Sequence, residues 1–357
     1  MNDSVKKRLE CGWLSLASAF LVGTAALALA GCATVAPPAG QPATTPGVEQ
    51  HEEQHSDAGH AEHAEALPPP QPVDLAPGDK LRVVATTNLI ADVVAQIGGD
   101  HIELVGLVPI GADPHGFQAT PAGLRALNAA HVVFINGLNL EENLLTTLHA
   151  LDNGIPLVTV NSAVEPLALA GDEDDDHGHD HGEFDPHTWF DVANVMIWTD
   201  TIADSLAALD PANAAAYAEA ASAYSQELAD LDQSMRSLLD QVPPEKRKLV
   251  TDHDALGYFA HAYGFEVVGA VVPSLSTLAA ASAQDLAALQ DQIRTEDVQA
   301  IFVGTTVNPN LATQIATDTG MRVVPIYTGS LSAPDGPAST YVDMMRYTAE
   351  AMVDALK

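Results

Sequence analysis

Ten of the 14 histidines of this chain sit in three different settings. His115 and His187 each close an Asp-Pro-His tripeptide, Asp113-Pro114-His115 and Asp185-Pro186-His187, and His253 lies between Asp252 and Asp254. Imidazole is a common ligand for borderline divalent ions. Three of them make a nitrogen site suited to zinc, with other late first-row metals next on affinity grounds. Proline stiffens the approach to such a ring, and a neighbouring carboxylate can fix its tautomer through a hydrogen bond. Any one of these histidines taken alone is more often structural, and Asp252 and Asp254 serve equally well as helix caps. The repeated tripeptide is what raises the metal reading above that background.

His177, His179 and His181 belong to the second setting. They alternate with Gly and Asp in DEDDDHGHDHGEFDPHTWFD, residues 172–191. That segment is too polar and too rich in glycine to hold one fixed geometry. It reads as a loop that captures zinc weakly beside the main site, against the alternative of a plain solvated acidic loop. The third setting is residues 32–78, rich in Pro, Ala, Thr, Gln and Glu, with His51, His55, His60 and His63. This is a flexible tether, either metal-attracting or merely soluble. His131, His149 and His261 read as structural or exposed. Trp189, Phe190 and Trp198, at helical spacing, read as core.

Elements that could bring distant histidines together are visible in the hydrophobic rhythm. From LRVVA onward, short β-branched runs alternate with apolar patterns of helical period, which predicts parallel sheets with helices on both faces. The rhythm pauses after Asp210-Pro211, a helix-start signal. About thirty residues then run almost without a breaker up to Pro243-Pro244, a helix of roughly 45 Å that reads as a rigid strut between two lobes. The fold class expected is therefore α/β: two lobes, each with a mainly parallel sheet flanked by helices, at 79–209 and 243–357, joined by one long backbone helix at 210–242. No internal sequence repeat links the lobes. Ligands of open parallel sheets bind beyond the carboxyl ends of the strands. His115 follows the strand-like IELVGLVPI, His253 follows KLVTD and His187 opens a helix, so a cleft between the lobes could gather all three.

Residues 1–31 have a basic start at Lys6, Lys7 and Arg8, an apolar run and small residues before Cys32, the order of a secretory signal. Leu29-Ala30-Gly31-Cys32 resembles a bacterial lipobox, in which Cys32 becomes the lipidated N-terminus. Cys11 lies within the signal, so a mature chain of this kind carries no disulfide. The net charge of −34 argues against nucleic acid and anionic membrane surfaces and favours cations. There is no glycine-rich phosphate cradle, nucleophile elbow or cysteine pairing for structural zinc.

VPIGADPHGFQATPAGLRALNAAHVVFINGLNLEENL, DPHTWFDVANVMIWTDTIADSLAALDPANAAAYAEAASAY, TDHDALGYFAHAYGFEVVG and TYVDMMRYT resemble, in this order, the solute-binding proteins of ABC importers for zinc and manganese. The resemblance covers nearly everything from Leu81 to Lys357. It implies two α/β lobes with the metal held between them, ligands at His115, His187 and His253, and an ABC permease as partner. With the signal and lipobox, an extracytoplasmic, lipid-anchored protein is expected, as a monomer. The chain departs from the family where relatives commonly place an aspartate: here the segment is Tyr327-Thr328-Gly329-Ser330-Leu331. Water, or a nearby carboxylate such as Asp335, would have to supply a fourth ligand.

The leading functional expectation is zinc capture and delivery to a permease, with affinity falling as pH drops through about 6.5. The alternatives are a manganese importer component, a zinc hydrolase using an open water position, and a zinc-buffering or adhesion lipoprotein.

Overall fold

Short runs of β-branched residues followed by amphipathic segments fold here twice into one arrangement. The computed structural model describes residues 71–150, 154–167 and 184–357. The first lobe comprises β1 Leu81–Ala85, α1 Asn88–Gly98, β2 Ile102–Gly106, α2 Pro121–Ala129, β3 Val132–Ile135, α3 Glu142–His149 and β4 Leu157–Thr159. Its four strands are parallel, in the order β2-β1-β3-β4. The second lobe comprises β5 Lys248–His253, α6 Gly257–Tyr263, β6 Glu266–Val272, α7 Ala283–Glu296, β7 Ala300–Gly304, α8 Asn310–Thr319, β8 Arg322–Ile326 and α9 Tyr341–Leu356. These strands are also all parallel, ordered β6-β5-β7-β8. The two sheets thus share one strand order although no sequence repeat marks it. A buried parallel strand asks only for an apolar, preferably β-branched run, so the topology can recur without the residues recurring.

Alternation along the strands sorts side chains into layers. In β1 and β3, Leu81, Val83, Val132 and Phe134 face a large central core, whereas Val84, Val133 and Ile135 face an outer core with Leu127 and Leu144 of α2 and α3. In β5 and β7, Leu249 and Phe302 join the central core, and Val250, Ile301 and Val303 pack outward with Leu289 and Ile315 of α7 and α8. Both sheets therefore carry helices on both faces.

Two helices run between the lobes, α4 Val192–Leu209 and α5 Ala214–Leu239. The single helix expected over 210–242 is shorter, because both ends turn locally. The Asp210 carboxylate accepts from Asn213 Nδ2 and the Tyr217 hydroxyl around the 3-10 turn Pro211–Asn213, and the backbone N–H groups of Gln241 and Val242 turn back onto Leu238 and Leu239. At 26 residues α5 still spans about 39 Å. It packs against α1, α4 and α9, so one continuous apolar layer from Leu81 to Leu356 serves both sheets. No helix among the described residues is long and apolar enough to cross a membrane. Cys11, Cys32, His51, His55, His60, His63, His177, His179 and His181 lie outside the described residues.

Candidate metal centre

His253 is the last residue of β5, His115 sits in the loop after β2, and His187 sits in the turn that leads into the 3-10 segment Thr188–Phe190 and α4. Their rings converge. One nitrogen from each lies within 4.8 Å of the others. The Nε2 atoms of His115 and His253 are each 3.3 Å from Nε2 of His187. For zinc–nitrogen bonds of about 2.0–2.1 Å, the edge of a tetrahedron is about 3.3 Å, so this is the spacing of ligands around one ion. All three residues are buried, at 2%, 1% and 3% exposure in chain order.

Nδ1 of His187 is 2.8 Å from Asp185 Oδ1, and Nδ1 of His253 is 3.1 Å from Asp252 Oδ1. A carboxylate there requires Nδ1 to carry the proton, which leaves the Nε2 lone pair facing the other rings. Two such lone pairs 3.3 Å apart cannot hydrogen-bond to each other; a cation between them resolves the contact. The donor set therefore fits a divalent metal bound as cargo.

Each carboxylate is itself held. Asp185 Oδ1 also accepts the His187 backbone N–H at 2.9 Å. Its Oδ2 lies where a side chain at Gly257 would be, 2.6 Å from that Cβ position, so glycine at the first residue of α6 is what lets the carboxylate seat. Asp252 accepts the backbone N–H groups of His253 and Gly304. The Pro186 carbonyl accepts from Asn136 Nδ2, and the Asn136 backbone N–H donates to the fully buried Glu141, whose carboxyl burial pushes up.

The first tripeptide differs from the second. Asp113 Oδ1 accepts the His115 backbone N–H, as Asp185 does for His187, but it is not on the His115 ring. Its Oδ2 instead accepts the Thr277 hydroxyl from the other lobe at 2.5 Å. The carboxylate nearest Nδ1 of His115 is Glu142, at 3.4 Å, from the first turn of α3. Asp254 is likewise not the partner of the His253 ring; burial pushes its carboxyl up to about 6, against the opposing effect of His253. Sequence reasoning missed Glu142 and Thr277, which carry no motif.

Burial, reinforced by the other two rings, holds the His115 imidazole down at about 2. Burial also lowers His187, opposed by Asp185. Both rings are therefore held in the neutral form, which ligation requires, more readily than free imidazole is.

The remaining side of the site is formed by Thr277, Thr306, Thr328 and Gly329 around a space of about 10 Å³. Asp335 is exposed and does not line it. A Cβ at Gly329 would stand 3.0 Å from Pro114 Cδ, so the His115 turn packs directly on this glycine. Trp189, Phe190 and Trp198 are core, Trp189 donating to the Thr328 carbonyl and Trp198 to Asn161. His131 Nδ1 accepts the Arg82 backbone N–H, and His261 is exposed.

The family model described as zinc-uptake complex component A, periplasmic, matches residues 83–355. The chain belongs to that family. The family is a solute-binding component of metal transport, and its members are similar to this chain over most of their length. The manganese-binding lipoprotein MntA of Halalkalibacterium halodurans is 32% identical over 280 residues, covering 78% of this chain and 89% of the relative. Among solved structures, the periplasmic zinc-binding protein TroA of Treponema pallidum is 30% identical with a TM-score of 0.71, covering 78% of this chain and 99% of that one. The manganese-bound periplasmic metal-binding protein of Candidatus Liberibacter asiaticus is 31% identical with a TM-score of 0.69, covering 78% and 100%. The two-lobe α/β fold expected from the sequence is the fold of these family members.

Proposed function

We propose that this protein captures zinc outside the cytoplasm, holds it on Nε2 of His115, His187 and His253, and delivers it to the permease of an ABC importer. The observation that carries the reading is the convergence of three buried imidazoles with no carboxylate among the clustered ligand atoms. Nitrogen-only donors of this kind favour zinc, whereas manganese prefers oxygen. The name of the Treponema pallidum neighbour agrees with zinc.

A lipid on Cys32 would keep the protein at the membrane through the 32–78 tether, in keeping with the relatives named lipoproteins. His177, His179 and His181 act in this reading as a weak zinc-gathering loop. The space directly at the Nε2 atoms, about 10 Å³, is of the size of a bare ion.

Manganese is the second reading, favoured by the names of the Halalkalibacterium relative and the Liberibacter structure. Metal analysis of protein purified without a histidine tag, followed by calorimetric titration with Zn²⁺ and Mn²⁺, separates the two. The zinc reading expects one tight zinc per chain, weaker manganese, and loss of the tight site in His115→Ala. Tighter manganese, or zinc binding indifferent to His115→Ala, would overturn it.

A further inference from the structure

The space at the three Nε2 atoms is small. Its volume of about 10 Å³ is room for one small occupant, and the rings around it are almost wholly buried. An ion must reach it from somewhere. A second cavity, of about 380 Å³, shares with the first the His115 residue. It lies between the lobes, with Asn139 and Glu142 on one side and Ser274 and Ser276 on the other. His115 and Glu142 are the titratable side chains in its lining.

Glu142 is placed to meet both water and the ring. Its side chain is 28% exposed, while Oε1 is 3.4 Å from His115 Nδ1. That Nδ1 is buried and makes no hydrogen bond. A charge-assisted N–H···O bond closes to about 2.7–2.9 Å, as Asp185 and His187 do. A separation of 3.4 Å is instead close to the tetrahedral edge, about 3.3 Å, expected for a nitrogen and an oxygen sharing one ion.

We propose that the 380 Å³ cavity is the antechamber of the metal centre, and that Glu142 and His115 Nδ1 form an outer, transient station for the divalent cation on its way to and from the Nε2 triad. The inference rests on the triad being the metal site. A neutral imidazole offers one lone pair at a time, so the two stations are used in sequence. As the ion moves from Nδ1 to Nε2 the ring changes tautomer, the proton leaving Nε2 and one returning to Nδ1, with no net proton change. The partly exposed carboxylate supplies what the buried triad lacks, a charged group that an arriving hydrated ion can touch before it sheds its water.

The test is stopped-flow exchange of Zn²⁺ between the full chain and a fluorescent chelator, with Glu142→Gln and with Ser276→Trp, which fills the cavity from the opposite lobe. Zinc association should slow about tenfold in both, and dissociation should slow with it. Absorption of the Co²⁺ form at equilibrium should report the three-nitrogen site in wild type and Glu142→Gln alike. Association rates untouched by both substitutions, faster dissociation in Glu142→Gln, or a Co²⁺ spectrum altered by it would overturn the station while leaving the triad in place. A wild-type chain without stoichiometric zinc would instead remove the triad, and the station with it.

Discussion

The Asp113 carboxylate and the Thr277 hydroxyl meet at 2.5 Å, joining the turn that carries His115 to the 273–282 loop of the other lobe. In the second Asp-Pro-His turn the equivalent carboxylate braces its own imidazole; in the first it reaches across the cleft. A hydrogen bond to a charged group contributes about 1.5–3 kcal/mol. Thr277→Val keeps the shape and removes the donor. Zinc should dissociate about tenfold faster from it, read by chelator competition, with little change in near-ultraviolet circular dichroism.

Asp185 bonds both the backbone and the ring of His187 through one oxygen. Asp185→Asn preserves volume and removes the charge that fixes the tautomer. Zinc affinity should fall about 10- to 100-fold, the usual effect of losing a carboxylate behind a ligating histidine. Competition titration measures it, and Asp252→Asn should behave alike because Asp252 holds His253 in the same manner.

The metal-free protein should lose stability in mild acid through His115. Burial holds this ring at about 2 in the folded chain, against about 6.5 when unfolded. Between those values the unfolded state binds the extra proton. The contribution is therefore fully present above pH 6.5 and is lost as pH falls below it, by about 1.4 kcal/mol per pH unit for one such ring. Urea unfolding of wild type and His115→Gln from pH 7.5 to 4.5 checks this. The wild type should show the steeper decline, and the difference between slopes isolates the ring.

Much of this arrangement is legible in the chain. His115, His187 and His253 stand out because two close a stiff Asp-Pro-His turn and one ends a β-branched run, places where a parallel sheet presents side chains to a cleft. The alternation of apolar periods likewise yields the helices and strands of both lobes. Glu142 and Thr277 leave no such trace. Each is an ordinary polar residue whose role depends on which loop faces it across a distance set only by folding. The start of α5 escapes the sequence for a related reason: Asp210 recruits Asn213 and Tyr217 into a local turn that helical periodicity does not register.

Gly329 lines the metal site, and its Cβ position is 3.0 Å from Pro114 Cδ. Gly329→Ala should weaken metal binding severalfold by pushing on the turn that positions His115, without adding a ligand. Gly329→Asp adds a hard oxygen and should raise manganese affinity relative to zinc. Paired calorimetric titrations of the two variants with both metals decide it; identical selectivity in Gly329→Asp and Gly329→Ala would show that the carboxylate does not reach the ion.

The apolar layer that α5 shares with both sheets limits how cargo can be discharged. Swinging the halves apart about a hinge would tear a single hydrophobic interior, whereas local shifts at the cleft break bonds such as Asn88 to Ser330 and Leu331, or Gly111 to Ser330. Each of these is worth about 1 kcal/mol. Loosening those bonds alone should leave the molecule's outline nearly constant in solution scattering with and without zinc.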